Sequence, residues 1–382
     1  MSDAAVRTRL PLLAGAGVFG ITYGLTSPLF ALELTRRGYS EFTVGLNASM
    51  QALGVLTVAL WLPGITQALG MRRVLLFALL AVALVLCAFP LFAWVWLWFP
   101  LRYALGIGSE GVMVTTETWA SQLSSEATRA TSMATYTAVV SIGMALGPLL
   151  LGHIGSGDAI PFLLAAALAV IASGLVMRMR ARATTTDADT SERTLPGGLR
   201  VLVRQVPIAL AATALNAALE TAGLSFLPLY AMRLGWSEQG ATSLISTLLV
   251  GAIVLQLPIG WLGDRVDRRR LVILLGALSA IGALAWPAAI TVPWLAYVLL
   301  FVWGGAFVGI YTLMVTIVGS RYRGGDLVAV YAGMSLAFGV GALLGPAIAG
   351  VAMTSFRHGL PLFAAVACAV FTAYAWGSRA RS

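Results

Sequence analysis

The stretch "GMALGPLLLG" at residues 143–152 returns as "GALLGPAIAG" at residues 341–350, 198 positions later. Working outward, "GYSE" at 38–41 returns as "GWSE" at 235–238, and Arg73 has its counterpart in Arg270, both at an offset of 197. Three matches in register across unrelated loops indicate that the chain is a parallel duplication. Two parallel copies of a six-helix unit are typical of transporters that hold a binding site between their halves.

The composition predicts an all-α membrane protein. Apolar residues make up 59% of the chain, only 10% is charged, and the mean hydropathy is +0.90, whereas soluble domains are about half apolar and a quarter charged. Apolar runs of about 20 residues, the length that crosses a bilayer, recur along the chain without strand-like alternation. They predict twelve transmembrane helices in two pseudo-symmetric six-helix bundles, at 10–33, 43–66, 73–93, 96–120, 131–154, 159–177, 206–231, 239–262, 271–290, 292–318, 327–352 and 358–377.

The arginines set the expected orientation. All 24 basic residues are arginine, and most fall in segments that are cytoplasmic if both termini are inside, as the positive-inside rule requires. We therefore interpret the net charge of +9 as a feature that attracts anionic lipids, not nucleic acid. A monomer in the bacterial plasma or inner membrane is expected.

The longest polar stretch, residues 178–205, is rich in Thr, Asp, Arg and Gly and divides the spans six and six. It predicts an N-terminal bundle at 1–177, a cytoplasmic linker at 178–205 and a C-terminal bundle at 206–382. Between the third and fourth spans, Pro90 and Pro100 are expected to bracket a turn. Trp94, Trp96 and Trp98 in that turn are typical of interface aromatics.

"GWLGDRVDRRR" at 260–270 resembles the loop signature Gly-x-x-x-Asp-Arg-x-Gly-Arg-Arg of the major facilitator superfamily, with Asp267 where glycine is usual. The copy after the second span keeps less of the pattern, with Pro63 at the glycine and Gln67 at the aspartate. The resemblance, over essentially the whole chain, implies a transporter with a cytoplasmic latch formed by Gly260, Asp264, Arg265, Arg268, Arg269, Gly70, Arg72 and Arg73. Asp264 is expected beside the N-terminus of a neighbouring helix, whose dipole favours an anion.

Two further motifs resemble the same family. "LRYALGIG" at 101–108 is similar to its fourth-helix motif, and "GMALGPLLLG" resembles its antiporter signature, except for Leu151 in place of a glycine. In the family that signature accompanies drug:proton antiport. Close helix packing is the alternative explanation for the glycines, since small residues four apart let helices approach. The residues assigned to packing or gating are Gly143, Gly147, Pro148, Gly341, Gly345 and Pro346.

Ionisable residues deep in a span are costly and usually functional. Arg102, Glu110 and Glu117 share one broad face of the fourth span, and Glu220 lies in the middle of the seventh. We expect the three carboxylates to carry protons and Arg102 to bias a nearby carboxylate toward ionisation. Structural hydrogen bonding is the alternative role for Glu220, and pairing with loop arginines is the alternative for Glu117.

Uncharged polar residues in the spans are candidates for lining a substrate cavity. They are Asn216, Tyr23, Thr26, Asn47, Gln51, Gln256, Trp303 and Tyr311. Hydrogen bonds between helices are the more common role of such residues.

The sequence predicts a transporter and not an enzyme. It has only two histidines, neither with metal-site spacing, and no GxxxxGK[ST] loop for ATP, so no cofactor is expected and the proton is the expected coupling ion. Proton-coupled efflux of an apolar or cationic compound is the leading hypothesis. Two alternatives stay open: proton-coupled uptake of a sugar, organic acid or other nutrient, and lipid handling by the same fold.

Overall fold

The computed structural model describes residues 3–122, 129–178 and 206–379, with the side chains of 3–10, 129, 130, 324, 325, 328 and 379 excepted. Over these ranges the ordered elements are helices, and no strand occurs. The helices are α1 Asp3–Arg36, α2 Glu41–Ala59, α3 Leu62–Leu69, α4 Met71–Ala88, α5 Val95–Gln122, α6 Arg129–Ile154, α7 Ile160–Met177, α8 Pro207–Arg233, α9 Glu238–Gly263, α10 Arg268–Ala289, α11 Pro293–Arg321, α12 Gly324–Ser355 and α13 Gly359–Arg379.

Eleven of the described helices are long and apolar enough to cross a membrane. The predicted fourth span corresponds to α5, which has 28 residues, or about 42 Å at 1.5 Å per residue. Its length therefore suffices for a bilayer, but Arg102, Glu110 and Glu117 make it less apolar than the others. The predicted all-α membrane fold is confirmed.

The second predicted span, 43–66, was wrong because it is not one continuous helix. The helix ends at Ala59, and α3 begins at Leu62 with Pro63 in its first turn. Proline lacks an N–H and its ring clashes with the carbonyl four residues earlier, which favours a helix start over a helix interior. The two residues of the break, Leu60 and Trp61, are 83% and 68% exposed.

The loop between α4 and α5 also differs from the prediction. Trp94 and Trp96 are exposed, as interface aromatics would be, but Trp98 is fully buried and packs edge-on against Phe30 and Phe89. Because Trp96 and Trp98 are two residues apart on a helix, they point in nearly opposite directions, and only one of them can face outward. Pro100 lies inside α5 and does not bound the turn.

Contacts divide the described chain into two units. The first contains residues 3–38 and 50–178, and the second contains residues 39–49 and 206–379. The first nine residues of α2 thus group with the second unit, so the predicted bundle boundaries stay a prediction. The predicted linker, apart from Arg178, lies outside the described residues.

The helix pairs are the same in both units. In the first unit α1 packs on α6 and α7, and α4 packs on α5 and α7; in the second, α8 packs on α12 and α13, and α10 packs on α11 and α13. These pairs correspond under the offset found in the sequence, which supports the duplication.

Glycines at the crossings fix the closest approaches. A Cβ built on Gly143 would lie 2.8 Å from the carbonyl oxygen of Gly17, and one built on Gly341 would overlap the carbonyl oxygen of Ala214. Positions 17 and 214 are themselves 197 apart. The glycines of "GMALGP" and "GALLGP" therefore pack α6 on α1 and α12 on α8, as the packing interpretation predicts.

Both repeated turns begin with a glycine in the left-handed region of backbone conformation. Gly38 and Gly235 have φ values of +83° and +94°, a region that glycine occupies without steric cost. After the second turn, the Ser237 hydroxyl accepts a hydrogen bond from the Gly240 amide at 3.2 Å and caps α9.

Candidate functional site

The second unit places a carboxyl group in the middle of α8. The Asn216 amide nitrogen lies 3.4 Å from Glu220 Oε2 and donates to it. Asn216 is 5% exposed and its side-chain oxygen has no partner. No arginine forms an ion pair with Glu220 among the described side chains. Glu220 can therefore gain or lose a proton without breaking a salt bridge.

The first unit places three ionisable residues on α5, as predicted. Arg102 is 2% exposed, while Glu110 and Glu117 are half-buried. The rise from Arg102 to Glu110 is about 12 Å at 1.5 Å per residue, and they form no ion pair within the described residues. Arg102 thus makes no direct contact with Glu110, and the expected biasing of a nearby carboxylate stays a prediction.

Arg102 instead meets an aromatic ring. Its guanidinium carbon lies 4.0 Å from the centroid of the Phe30 ring of α1, within the range of a cation–π contact. Its Nε and Nη1 atoms are buried, and neither has an acceptor in the described part of the chain. The Phe30 contact could not be predicted from the sequence, because a phenylalanine in an apolar span is common.

Several predicted cavity residues are buried without a hydrogen-bond partner. Thr26 and Gln51 of the first unit are 0% and 5% exposed, and Asn47 of the second unit is 1% exposed. The Thr26 hydroxyl, the Gln51 side-chain oxygen and both polar atoms of the Asn47 side chain have no partner in the described residues. Thr22, one turn before Thr26, has the same character and was missed, although its spacing of four from Thr26 places both on one helix face. Because buried polar groups are normally satisfied, these residues are suited to a hydrogen-bonding ligand.

The remaining predicted cavity residues are not buried polar groups without a partner. Trp303 was misassigned: it is 3% exposed, its indole nitrogen donates to the Ser279 carbonyl at 2.8 Å, and its ring packs against Trp286. Its only donor is thus used to join α11 to α10. Gln256 is exposed, and Tyr23 and Tyr311 are half-buried with interactions of their own.

The loop between α9 and α10 holds its charges close to the backbone. The Asp264 carboxylate accepts from Arg268 at 2.9 Å, while Arg268 Nε donates to the Gly263 carbonyl at 3.0 Å. The Asp267 carboxylate accepts from the Arg270 amide at 2.7 Å and caps α10. Asp267, where the family's glycine usually stands, is therefore the residue that caps α10, whereas Asp264 pairs with Arg268.

Two latch arginines at equivalent positions bind the ends of equivalent helices. Arg72 donates to the carbonyls of Val176 and Met177 at 3.4 and 2.5 Å, at the C-terminus of α7. Arg269, 197 positions later, donates to the Ser378 hydroxyl at 3.0 Å, near the C-terminus of α13. Arginine is favoured there because the last carbonyls of a helix carry partial negative charge. Arg265 stacks on Trp261 at 3.7 Å, and Arg73 is exposed.

Comparisons with known proteins agree with this architecture. The family model of the Major Facilitator Superfamily matches residues 12–250 and 209–381. The MFS-type transporter YfkF of Bacillus subtilis strain 168 is 27% identical over 344 residues, which are 89% of this chain and 87% of YfkF. YcaD of Escherichia coli O6:K15:H31 is 24% identical over 368 residues, 94% of this chain and 92% of YcaD.

Solved structures share the fold at low identity. A crystal structure of the nucleoside transporter NupG superimposes with a TM-score of 0.76 at 15% identity and covers 98% of this chain and 96% of NupG. The D-xylose–proton symporter superimposes with a TM-score of 0.73 at 15% identity, over 96% of this chain and 97% of the symporter. Taken with the twofold helix pattern and the buried ionisable groups, the match of the family model over nearly the whole sequence shows that this chain, an integral bacterial inner-membrane transporter and not an enzyme, belongs to the Major Facilitator Superfamily.

Proposed function

We propose that the protein is a proton-coupled symporter that takes up a small, hydrogen-bonding solute. The observation that carries this proposal is the Glu220 carboxyl in mid-α8, whose contact is with the neutral Asn216 amide. A carboxyl with no cationic partner changes its charge when it binds a proton, and that change alters the cost of its burial. Proton binding can thus be linked to which side of the membrane the group faces.

The polar side chains favour a hydrogen-bonding substrate over an apolar or cationic one. Among the described residues, Thr26 and Gln51 of the first unit present buried oxygens without partners. A ligand that lacks hydrogen-bonding groups would leave both of them unsatisfied, at a cost of roughly 1–3 kcal/mol each. The positive charge of Arg102 disfavours a cation further. These features favour uptake of a polar nutrient over our leading expectation of apolar or cationic efflux.

The solved structures with the same fold also support uptake of a polar solute. The two compared proteins are described as a nucleoside transporter and a D-xylose–proton symporter. Their likeness to this chain is in the fold, so the substrate class proposed here depends on the side chains of this chain.

We assign the roles as follows. Glu220 carries the coupling proton, and Glu110 and Glu117 are further carriers on α5. Thr26 and Gln51 of the first unit bind the solute, and Asn216 of the second unit holds Glu220 by a hydrogen bond. The loop that contains Asp264 and Arg268 acts as the cytoplasmic latch, with the termini on the cytoplasmic side.

Efflux by antiport is the second candidate, and the "GMALGP" stretch favours it. The contact of Gly143 with Gly17 explains that glycine by packing alone, which weakens the argument for antiport. The direction of coupling separates the candidates: a symporter accumulates solute toward the alkaline side of a membrane, and an antiporter accumulates it toward the acidic side.

The test uses purified full-length protein in liposomes. Nucleosides, pentoses and hexoses are first screened for thermal stabilisation of the protein, and the stabilising compound is used as the radiolabelled solute. With an acidic exterior, we expect accumulation inside, and we expect Glu220→Gln to abolish it. The same variant should retain exchange of labelled for unlabelled solute, because exchange moves no net proton.

Asp158→Asn is the matched control, since Asp158 is exposed in the loop after α6 and its substitution also removes one carboxylate. It should accumulate solute as the unmodified protein does. Accumulation by Glu220→Gln at the unmodified level would refute the proton-carrying role. Accumulation toward the acidic compartment would instead establish antiport.

A further inference from the structure

Arg102 has a buried charge for which the described residues provide no counter-charge. It is 2% exposed, and its guanidinium carbon lies 4.0 Å from the centroid of the Phe30 ring. Two of its three nitrogens, Nε and Nη1, are enclosed without an acceptor. Leaving a buried ion without a partner is strongly unfavourable. A charge that is kept at such a cost is usually functional.

The surroundings of Arg102 provide further polar groups from two other helices. Thr26 lies one turn before Phe30 on α1, and the Thr26 hydroxyl is fully buried and unpartnered. On α2, Gln51 sits at the crossing with α5: a Cβ built on Gly106, one turn after Arg102, would lie 3.1 Å from the Gln51 Cα. Residues one turn apart on a helix are neighbours, with Cβ atoms about 5–6 Å apart. The three helices therefore bring one cation and two unpartnered polar side chains into the same part of the first unit.

We propose that Arg102 binds the anionic group of the transported solute, a single negatively charged carboxylate, with Thr26 and Gln51 binding its neighbouring hydroxyl or amine groups. This inference rests on the proposed function, because it names the substrate class of the same transporter. It also assigns Arg102 to the substrate, in place of the biasing of Glu110 that the sequence suggested.

The chemistry of the guanidinium supports a carboxylate. Its N–H donors lie in the plane of the group, and Nε and Nη1 have no acceptor among the described residues, so these in-plane donors are left for a ligand. Such an edge matches the two oxygens of a carboxylate, and the paired, charge-assisted hydrogen bonds are among the strongest in proteins. One negative charge neutralises the single positive charge of Arg102, whereas a doubly charged phosphate leaves an excess negative charge in a buried site.

The enclosure of Arg102 relates binding to conformation. Since Nε and Nη1 are shielded from solvent in this structure, an anion reaches them only in a conformation in which α1, α2 and α5 admit water around the guanidinium. The bound anion then compensates the charge when the helices close over it. Solute binding and closure of the first unit are thus coupled through Arg102.

The experiment measures binding by thermal shift and by equilibrium dialysis on the purified full-length protein in nanodiscs. The probes are lactate, gluconate, benzoate and shikimate as sodium salts, each paired with its neutral amide or alcohol, and inorganic phosphate. All are measured against sodium chloride at equal ionic strength. We expect at least one carboxylate to stabilise the protein beyond sodium chloride and its neutral counterpart to bind at least about tenfold more weakly.

Arg102→Met should remove this difference and leave the protein folded, since the substitution also removes an uncompensated buried charge. Arg102→Lys, which keeps the charge but not the planar edge, should bind the carboxylate with intermediate affinity. Arg178→Gln is the control, because Arg178 is an exposed arginine of the same unit and should bind as the unmodified protein does. Should Arg102→Met fail to fold, the comparison of Arg102→Lys with Arg178→Gln carries the test.

Several results would overturn the proposal. These are equal binding of a carboxylate by Arg102→Met, tighter binding of the neutral partner, preference for phosphate, or no carboxylate effect beyond sodium chloride. None of these results would contradict proton coupling, which is tested separately by the loss of accumulation in Glu220→Gln. A neutral solute that is still driven by protons would refute the anion site and leave the symporter intact.

Discussion

Replacement of Gly147 by alanine should destabilise the first unit by an amount that the crossing geometry sets. A Cβ built on Gly147 would lie 2.7 Å from the Ile21 carbonyl oxygen and 2.6 Å from the Gly24 carbonyl carbon, and it would overlap the Leu25 nitrogen. Carbon makes comfortable contacts at roughly 3.5 Å, so α6 and α1 must separate by roughly 1 Å. The neighbours are backbone atoms, which cannot rotate away as a side chain can.

The magnitude follows from two opposing effects. Alanine gains roughly 0.5–1 kcal/mol over glycine in a helix, and overpacking of this kind costs about 1–3 kcal/mol. The matched control is Gly174→Ala in α7, because nothing lies within 4 Å of a Cβ built there. Both variants gain the same helix preference, so their difference isolates the clash. We expect Gly147→Ala to be about 1–3 kcal/mol less stable than Gly174→Ala.

The assay is thermal unfolding of both variants in one detergent at one scan rate, followed with a thiol-reactive fluorescent dye. Cys368 is fully buried and reports unfolding of the second unit, and Cys87 is half-buried and reports on the first. Since 1 kcal/mol corresponds to roughly 2–4 °C for proteins of 150–250 residues and to less for a longer chain, we expect the Gly147→Ala transition to lie about 1–4 °C below that of Gly174→Ala. If the Gly147→Ala protein melts at or above the temperature of Gly174→Ala, the close crossing of α6 on α1 is refuted.

Three further changes test the local assignments. Trp303→Phe removes the hydrogen bond to the Ser279 carbonyl, so we expect the free energy of unfolding to fall by about 1 kcal/mol. Solute affinity should be unchanged in a binding assay. A large loss of affinity would show that Trp303 lines the substrate cavity. Ser237→Ala removes the cap on the Gly240 amide and should lower stability by about 1 kcal/mol in thermal unfolding, whereas Ser237→Asp should not. Arg72→Gln should expose the end of α7 and speed amide hydrogen exchange there, and unchanged exchange at residues 174–177 would contradict the contact.

The helices and the glycines at their crossings could be predicted from the sequence because they depend on patterns that extend over many residues. Apolar runs locate the spans, and the repeats at 143–152 and 341–350 locate the crossings, since only glycine permits backbone contact there. The break at Leu60 and Trp61 depended on one proline, which is tolerated inside other spans such as α5. Local sequence does not say which prolines end a helix, because neighbouring helices can satisfy the freed carbonyl.

The site was predictable in its residues but not in their contacts. Glu220 and Arg102 stood out because charges are rare in spans, and both are found among the buried or half-buried residues. The partner of each comes from packing: Arg102 meets Phe30 of another helix, and no rule of spacing links them. Trp303 shows the converse, because an aromatic residue with a polar atom suits a cavity and a core equally well, and only the position of the Ser279 carbonyl decides between them.

The duplication separates packing from chemistry. Where the two copies share a residue, as at Gly143 and Gly341, the shared residue lies at a helix crossing that both units need. The ionisable residues deep in the spans follow the opposite rule: at the same offsets Glu220 corresponds to Tyr23, and Arg102 corresponds to Leu300. A residue needed for the bundle is constrained in both copies, whereas a residue that carries a proton or binds a solute is needed only once. The charges deep in the spans are therefore not needed for the helix pattern, because the unit without a given charge folds into the same pattern.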